Sequence, residues 1–199
     1  LVQKNLAVTL TRMAEFGHYG FYQGPTADEL VTSVQRDGGI WTYEDLLAYQ
    51  VIERDPIQFK YKDYTVTSAP LPSSGGLVLG MVLSQMQSLD GSLADPKDQL
   101  HASIESLRNG YYHRALRMGD SDFTKDEGED LLNASFIKKL AASIDPKKAT
   151  PSSTFDSISS GSKGQQTTHF SIIDDQGNKV SATLSINLYF GSGYAAGST

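Results

Sequence analysis

Residues 167–188 restrict the fold more than any other stretch of the chain. Two runs of alternating residues flank Asp174-Asp175-Gln176-Gly177-Asn178. A three-residue loop, Asp175-Gln176-Gly177, with Gly177 in the left-handed region, is a common hairpin connection. That loop sets Ile172 opposite Val180, Phe170 opposite Ala182 and Thr168 opposite Leu184, a nearly apolar face. The other face pairs Ser171 with Ser181, His169 with Thr183 and Thr167 with Ser185, with Asn187 beyond. A slip of one residue mixes the two faces, so this register is the preferred one. The hydroxyl-rich face has two readings. It is a solvated sheet face, where Ser and Thr are common, or a hydroxyl- and amide-lined active-site face.

Upstream the pattern is mainly helical. Val2, Leu6, Leu10 and Met13 recur at helical spacing, with Gly17 as the stop. A Tyr/Gly loop is expected over 17–24. Thr26 and Glu29 form a capping-box pattern before Leu30, Val31 and Val34, and Gly38-Gly39 ends that helix. Thr42 with Asp45 caps a helix over 43–49. Ile57, Phe59 and Tyr61 alternate as a strand, Lys62-Asp63 turns, and Tyr64 to Ser68 runs back. Pro70 to Gly76 opens a helix reaching about Leu89. Leu100, Ile104, Leu107, Tyr111, Ala115 and Met118 predict the apolar face of a long amphipathic helix. Leu131 to Ile144 predicts another. Pro151 to Gln166 is rich in Ser, Gly and Lys and reads as a mobile linker.

Composition narrows the chemistry. The chain has 199 residues with 17 Lys+Arg against 23 Asp+Glu, a formal charge of −6. An acidic balance argues against nucleic-acid or anionic-membrane partners, since phosphate binding needs clustered Lys and Arg. No window reaches the ~20 apolar residues of a membrane span. There is no cysteine, which removes disulfides, thiolate catalysis and Cys-ligated zinc. The four His and scattered carboxylates lack metal-ligand spacing, so no metal and no cofactor are expected. The first residue is Leu1 and the last nine trail off without an evident element, so the chain is expected to be a piece of something larger.

Thr167 opens a strand directly after a linker. N-terminal-nucleophile hydrolases use this layout: a Thr, Ser or Cys begins a strand, cutting the bond before it frees its amine, and that amine serves the neighbouring hydroxyl as base. Gln166-Thr167-Thr168-His169-Phe170-Ser171, Asp174 to Asn178, Thr183-Leu184-Ser185-Ile186-Asn187 and Phe190-Gly191-Ser192-Gly193 resemble the γ-glutamyltranspeptidases. Gly20-Phe21-Tyr22-Gln23-Gly24, Gly38-Gly39 with Glu44-Asp45-Leu46, Arg54-Asp55-Pro56, Pro70 to Gly76 and Gly119-Asp120-Ser121-Asp122-Phe123 extend the resemblance upstream in order.

The resemblance implies an α+β fold, part of the αββα sandwich of the N-terminal-nucleophile (Ntn) hydrolases. It assigns residues 1–150 to the C-terminal helical part of a large subunit, 151–166 to the linker before a self-cleavage site, and 167–199 to the first strands of a small subunit. It implies cleavage between Gln166 and Thr167, then γ-glutamyl transfer or hydrolysis from glutathione and related compounds through an ester on Thr167. Ser185 would orient the nucleophile; the family commonly has Thr there. Asn187 would bind substrate, with Thr183 in support. The implied partners are a γ-glutamyl donor, an amino-acid, peptide or water acceptor, and the remaining parts of both subunits. The carboxylate-binding Arg, the Ser-Ser pair and the Gly-Gly oxyanion hole of the family are expected outside the chain, so the chain alone is expected to be inactive. The implied location is periplasmic, secreted or on the outer cell face.

Two alternatives remain open from sequence: a related acylase or poly-γ-glutamate depolymerase, and a non-catalytic helical interaction module bearing a hairpin. His113-Arg114 departs from the Asp-Arg of the family and carries no assigned role. His169 reads as structural, and Pro70 to Gly76 as a turn with an N-cap in place of an anion site. Ser160-Gly161-Ser162-Lys163 reads as a chance match to SxxK. Asn133-Ala134-Ser135 is a glycosylation sequon within an expected helix.

Overall fold

The computed structural model describes residues 2–124, 128–155, 167–186 and 191–197. In chain order the elements are α1 (Lys4–Phe16), α2 (Tyr19–Tyr22), α3 (Gly24–Arg36), α4 (Tyr43–Ala48), β1 (Ile57–Tyr61), β2 (Tyr64–Ser68), α5 (Gly75–Leu89), α6 (Pro96–Arg117), α7 (Ala134–Ala142), β3 (Thr167–Ile173) and β4 (Lys179–Ser185). Short 3-10 turns cover Asp90–Ser92, Glu129–Leu132 and Ser152–Phe155. Two compact units result: Leu1–Ile52 with Gly161–Thr199, and Glu53–Ser160.

In the first unit, α1 stops where Gly17 turns to φ 58° and donates its N–H to the Met13 carbonyl. The expected Tyr/Gly loop instead contains the short helix α2. Gly20 lets it sit against the Arg12 carbonyl, where a Cβ would collide with backbone. The capping box expected at Thr26 and Glu29 does not form. Pro25 fits the first turn, where its missing N–H costs nothing, so α3 begins at Gly24 with Gln23 as N-cap. Thr26 is thereby buried inside the helix, and its hydroxyl accepts from Arg12 Nη1 at 3.1 Å. The box does form at α4, satisfying two end donors at once. The Asp45 N–H donates to Thr42 Oγ1 at 3.2 Å, and the Thr42 N–H to Asp45 Oδ2 at 2.8 Å. Ala27, Val31 and Leu46 make the core between α3 and α4, with Tyr22 and Leu30 against it.

The second unit is organised by α5. Strands β1 and β2 pair antiparallel around Lys62-Asp63, with Phe59 opposite Val66. Phe59 is buried against α5 at Gly80, where an added Cβ would lie 3.1 Å from the Phe59 ring and 2.7 Å from Leu132. Met81 of α5 meets Leu131, Ile137 and Leu140 in the core. Each such side chain contributes about 1.5–3 kcal/mol by leaving water. The 131–144 helix is interrupted: Asn133 caps α7, its Oδ1 accepting from the Ser135 N–H at 2.9 Å. The sequon asparagine is therefore a helix cap.

The long helix α6 departs most from expectation. Leu100, Ile104, Leu107 and Tyr111 are exposed, and the buried face is Ala102, Glu105, Ser106 and Gly110. Small residues spaced by four let two helix axes approach closely. A Cβ on Gly110 would stand 3.3 Å from Val78 and 3.4 Å from Val82. The approach also lets Asn109 Nδ2 donate to the buried Gln85 Oε1 at 3.0 Å, while Gln85 Nε2 donates to the Met81 carbonyl. Leucines on that face would hold the helices apart.

Of the segment read as linker from Pro151, residues 156–166 lie outside the described residues. Its first residues form the Ser152–Phe155 turn, and Phe155 meets Tyr112 edge-on at 5.2 Å.

Candidate active site

The hairpin adopts the register deduced from its pattern: Thr167 with Ser185, Thr168 with Leu184, His169 with Thr183, Phe170 with Ala182, Ser171 with Ser181 and Ile172 with Val180. Gly177 takes φ 84°. This left-handed conformation closes the three-residue loop, and glycine adopts it without Cβ strain. Asp174 secures the turn. Its carboxylate accepts from Asn178 Nδ2 at 2.7 Å and from the Asn178 and Gln176 N–H groups at 2.8 and 3.0 Å. Those bonds, the Asn178 side chain first, hold its carboxyl below the usual carboxylate range, since they favour the charged form.

Alternation along β3 and β4 places the hydroxyls of Thr167, Ser171, Ser181, Thr183 and Ser185 on one face, with Thr168 alone on the other. Thr167 Oγ1 donates to Ser185 Oγ at 3.0 Å, so the first and last residues of the ladder are joined by their side chains. One step in, His169 Nδ1 lies 2.8 Å from Thr183 Oγ1, and its Nε2 lies 3.0 Å from Ser181 Oγ. Ser171 Oγ lies 3.4 Å from the same Nε2. The face therefore holds a hydroxyl pair at the open end and an imidazole clamped by hydroxyls behind it. A Thr hydroxyl becomes a useful nucleophile when a neighbouring base takes its proton. The imidazole is engaged with Thr183 and Ser181.

Of the residues singled out in the sequence, Thr167, Ser185 and Thr183 share this face, and Thr183 pairs with His169. Gln166 and Asn187 lie outside the described residues. The convergence of Thr183 and Ser181 on one imidazole was not deduced. Its signal was present in the register, because His169 faces Thr183 directly and Ser181 diagonally. Among the described residues no cluster of three or more His, Asp or Glu could hold a metal. None of their helices is long and apolar enough to cross a membrane.

A second anchored segment bears on this unit. The Tyr194 hydroxyl donates to the Ser33 carbonyl at 2.8 Å and to Asp37 Oδ2 at 2.7 Å, at the end of α3. Arg36 donates to both Asp37 oxygens, at 3.1 and 3.0 Å. The Arg36 bonds, then the Tyr194 hydroxyl, bring the Asp37 carboxyl down to about 2, again by favouring the carboxylate.

Among solved structures, the chain is similar to the γ-glutamyltranspeptidase of Helicobacter pylori, with a TM-score of 0.72 and 37% identity over 77% of this chain and 44% of that one. It shares its fold with a cephalosporin acylase from Bacillus halodurans, with a TM-score of 0.78 and 24% identity over 98% of this chain and 34% of that one. The architecture is thus a partial α+β fold of the Ntn-hydrolase class, helices plus small sheets. The gamma-glutamyltranspeptidase family matches residues 1–199, and the chain belongs to that family. Glutathione hydrolase proenzyme from Escherichia coli is 38% identical over 207 residues, covering 99% of this chain. The chain spans about a third (34%) of the length of that relative.

Proposed function

We propose that this chain carries the self-cleavage junction and nucleophile of a γ-glutamyltransferase or glutathione hydrolase. The supporting observation is the 3.0 Å bond between the Thr167 and Ser185 hydroxyls at the open end of the hairpin. Ser185 accepts the Thr167 proton in that bond and so fixes the direction of the Thr167 lone pairs. In the precursor, Thr167 Oγ attacks the Gln166 carbonyl carbon. The C–N bond breaks, the amine takes the hydroxyl proton, and Gln166 is left as an ester on Thr167. Water then cleaves that ester, giving a Gln166 carboxylate, the Thr167 hydroxyl and a free Thr167 amine.

In the cleaved enzyme the Thr167 amine takes the hydroxyl proton as the oxygen attacks a γ-glutamyl amide. It returns the proton to the leaving amine. The γ-glutamyl ester passes to water or to an amino-acid or peptide acceptor. Glutathione is the donor suggested by the names of the relatives. Asn187 binds the α-amino or α-carboxylate end of the donor, with Thr183 in a supporting role. Residues 1–150 belong to the large subunit, 151–166 lead to the junction, and 167–199 begin the small subunit. The enzyme works in the periplasm, outside the cell or on its outer face. A related acylase activity is the second reading, favoured by 30% identity over 96% of this chain to an acylase proenzyme of Pseudomonas sp..

Intact-mass measurement of the complete protein tests this. Two pieces divided before Thr167 are expected, and one uncut piece for Thr167→Ala. A Thr167→Ala protein that still divides there would sink the mechanism. The 199-residue chain alone is expected to release no p-nitroaniline from γ-glutamyl-p-nitroanilide, because preorganised oxyanion donors supply much of the transition-state stabilisation.

A further inference from the structure

Residues 194–197 lie against α3, and both belong to the first unit. Ala27 and Val31 turn one side of α3 to the core with Leu46. Glu29, Ser33 and Asp37 recur every four residues, each two places on from that set, so they form a stripe on roughly the opposite side. The Tyr194 hydroxyl meets this stripe at the Ser33 carbonyl and Asp37 Oδ2, at 2.8 and 2.7 Å. Arg36 donates to both Asp37 oxygens, at 3.1 and 3.0 Å, and holds that acceptor in place. Gly197 meets the stripe at Glu29, where an added Cβ would collide with Oε1 and stand 2.9 Å from Cγ. Ser33 and Ala196 are both buried. The segment therefore runs antiparallel to α3, with Tyr194 at the helix end and Gly197 about two turns back.

The fit is close. Gly197 has φ 53°, so a side chain there is disfavoured by backbone as well as by space. The Tyr194 bond to Asp37 has a charged acceptor, which makes it stronger than a neutral one. The order of the chain gives the contact its meaning. All of α3 precedes the Gln166–Thr167 bond, and residues 194–197 follow it. Cutting that bond removes none of the atoms just named. It changes their standing: a contact within one chain becomes a contact between two pieces, and the covalent tether no longer keeps them close.

We propose that the Glu29–Ser33–Asp37 stripe and residues 194–197 are an interface between the two subunits, a latch formed in the precursor and kept after self-cleavage; this rests on the function proposed above. Tyr194 and Gly197 are the small-subunit side of the latch, and the outer side of α3 is the large-subunit side.

Cross-linking in the complete protein tests this. The 199 residues contain no cysteine. A Cβ at 197 would stand 2.9 Å from Glu29 Cγ, so the Cβ atoms of residues 29 and 197 lie no more than about 4.4 Å apart, within the span of a disulfide. Glu29→Cys/Gly197→Cys, once divided and oxidised with diamide, is expected to run on a denaturing gel at the summed mass of the two pieces and to separate on reduction. Each single variant is expected to give two pieces with or without reductant. Two unlinked pieces from the oxidised double variant overturn the proposal. Should that variant not fold or not divide, Tyr194→Phe supplies the second measurement. Its pieces are expected to separate about tenfold faster than the parent's in urea, because the bond to a charged acceptor is lost. Separation at the parental rate overturns the proposal. A parent that never divides overturns the proposed function and the latch together, whereas a divided but unlinked double variant overturns the latch alone.

Discussion

The His169 imidazole bridges two hydroxyls of the opposite strand, Thr183 at 2.8 Å and Ser181 at 3.0 Å. This bond pattern ties β3 to β4 by side chains behind the Thr167–Ser185 pair. The two hydroxyl contacts on this face are expected to respond differently to removal. Thr183→Val deletes one exposed bond and should cost about 0.5–1.5 kcal/mol of stability while self-cleavage proceeds. Ser185→Ala should slow self-cleavage by about tenfold or more, as expected when a positioned proton partner is lost. A cleavage time course on both variants checks the contrast.

His113 gives a pH dependence. Burial, then Arg117, lower its pKa, while Asp130 pulls the other way. Phe136 and Tyr112 face the ring edge-on, at 5.1 and 5.3 Å. The unfolded chain therefore binds a proton more readily than the folded one. Stability should be full above the ordinary His value of about 6.5 and fall as the pH drops below it. Thermal melts between about pH 7.5 and 5 should show that loss, and His113→Leu should flatten it.

The face that α6 buries can be tested by truncation. Leu131 is fully buried and Leu107 lies on the exposed stripe. Leu131→Ala empties a core site and should cost about 2–5 kcal/mol. Leu107→Ala changes only exposed surface and should stay within about 0.5 kcal/mol of the parent. The denaturant midpoint of Leu107→Ala, with Leu131→Ala as the reference for a core site outside α6, decides between this packing and the one the α6 leucines predict.

Asp37 offers a direct titration. Its carboxyl lies at about 2 because Arg36 and Tyr194 donate to it. A depressed carboxylate contributes stability above its unfolded value of about 3.9, and that contribution is lost as the pH falls toward about 2. Tyr194→Phe should bring the Asp37 value up toward the ordinary range, read from its carboxyl NMR signal.

Local rules carried most of the elements. The Thr42–Asp45 capping box, the β1–β2 turn and the full register of the last hairpin follow from turn chemistry and period-two alternation. Other features did not follow from the rules as applied. Pro25 competed with Thr26 for the start of α3 and won because it fits a first turn. The 17–24 loop held a helix because Gly20 tolerates close backbone. The α6 stripe was legible as apolar, yet its small-residue face allowed the closer approach to α5. For the site, alternation alone put Thr167, Ser185 and Thr183 together. The bond from Tyr194 to Ser33 spans 161 residues and left no periodic trace.

The hairpin register also sets which kinds of genetic change β3 and β4 tolerate. A substitution on the hydroxyl face alters one rung. Adding or removing one residue within β3 or β4 instead exchanges the faces for every rung between the lesion and the strand end. An insertion after Ile172 would set Thr167 on the face of Val180, Ala182 and Leu184 and take it from Ser185. Length variation among relatives should therefore be confined to the turn at 174–178, where Gly177 closes the loop, and single-codon indels inside the strands should be lost as surely as a change of Thr167 itself.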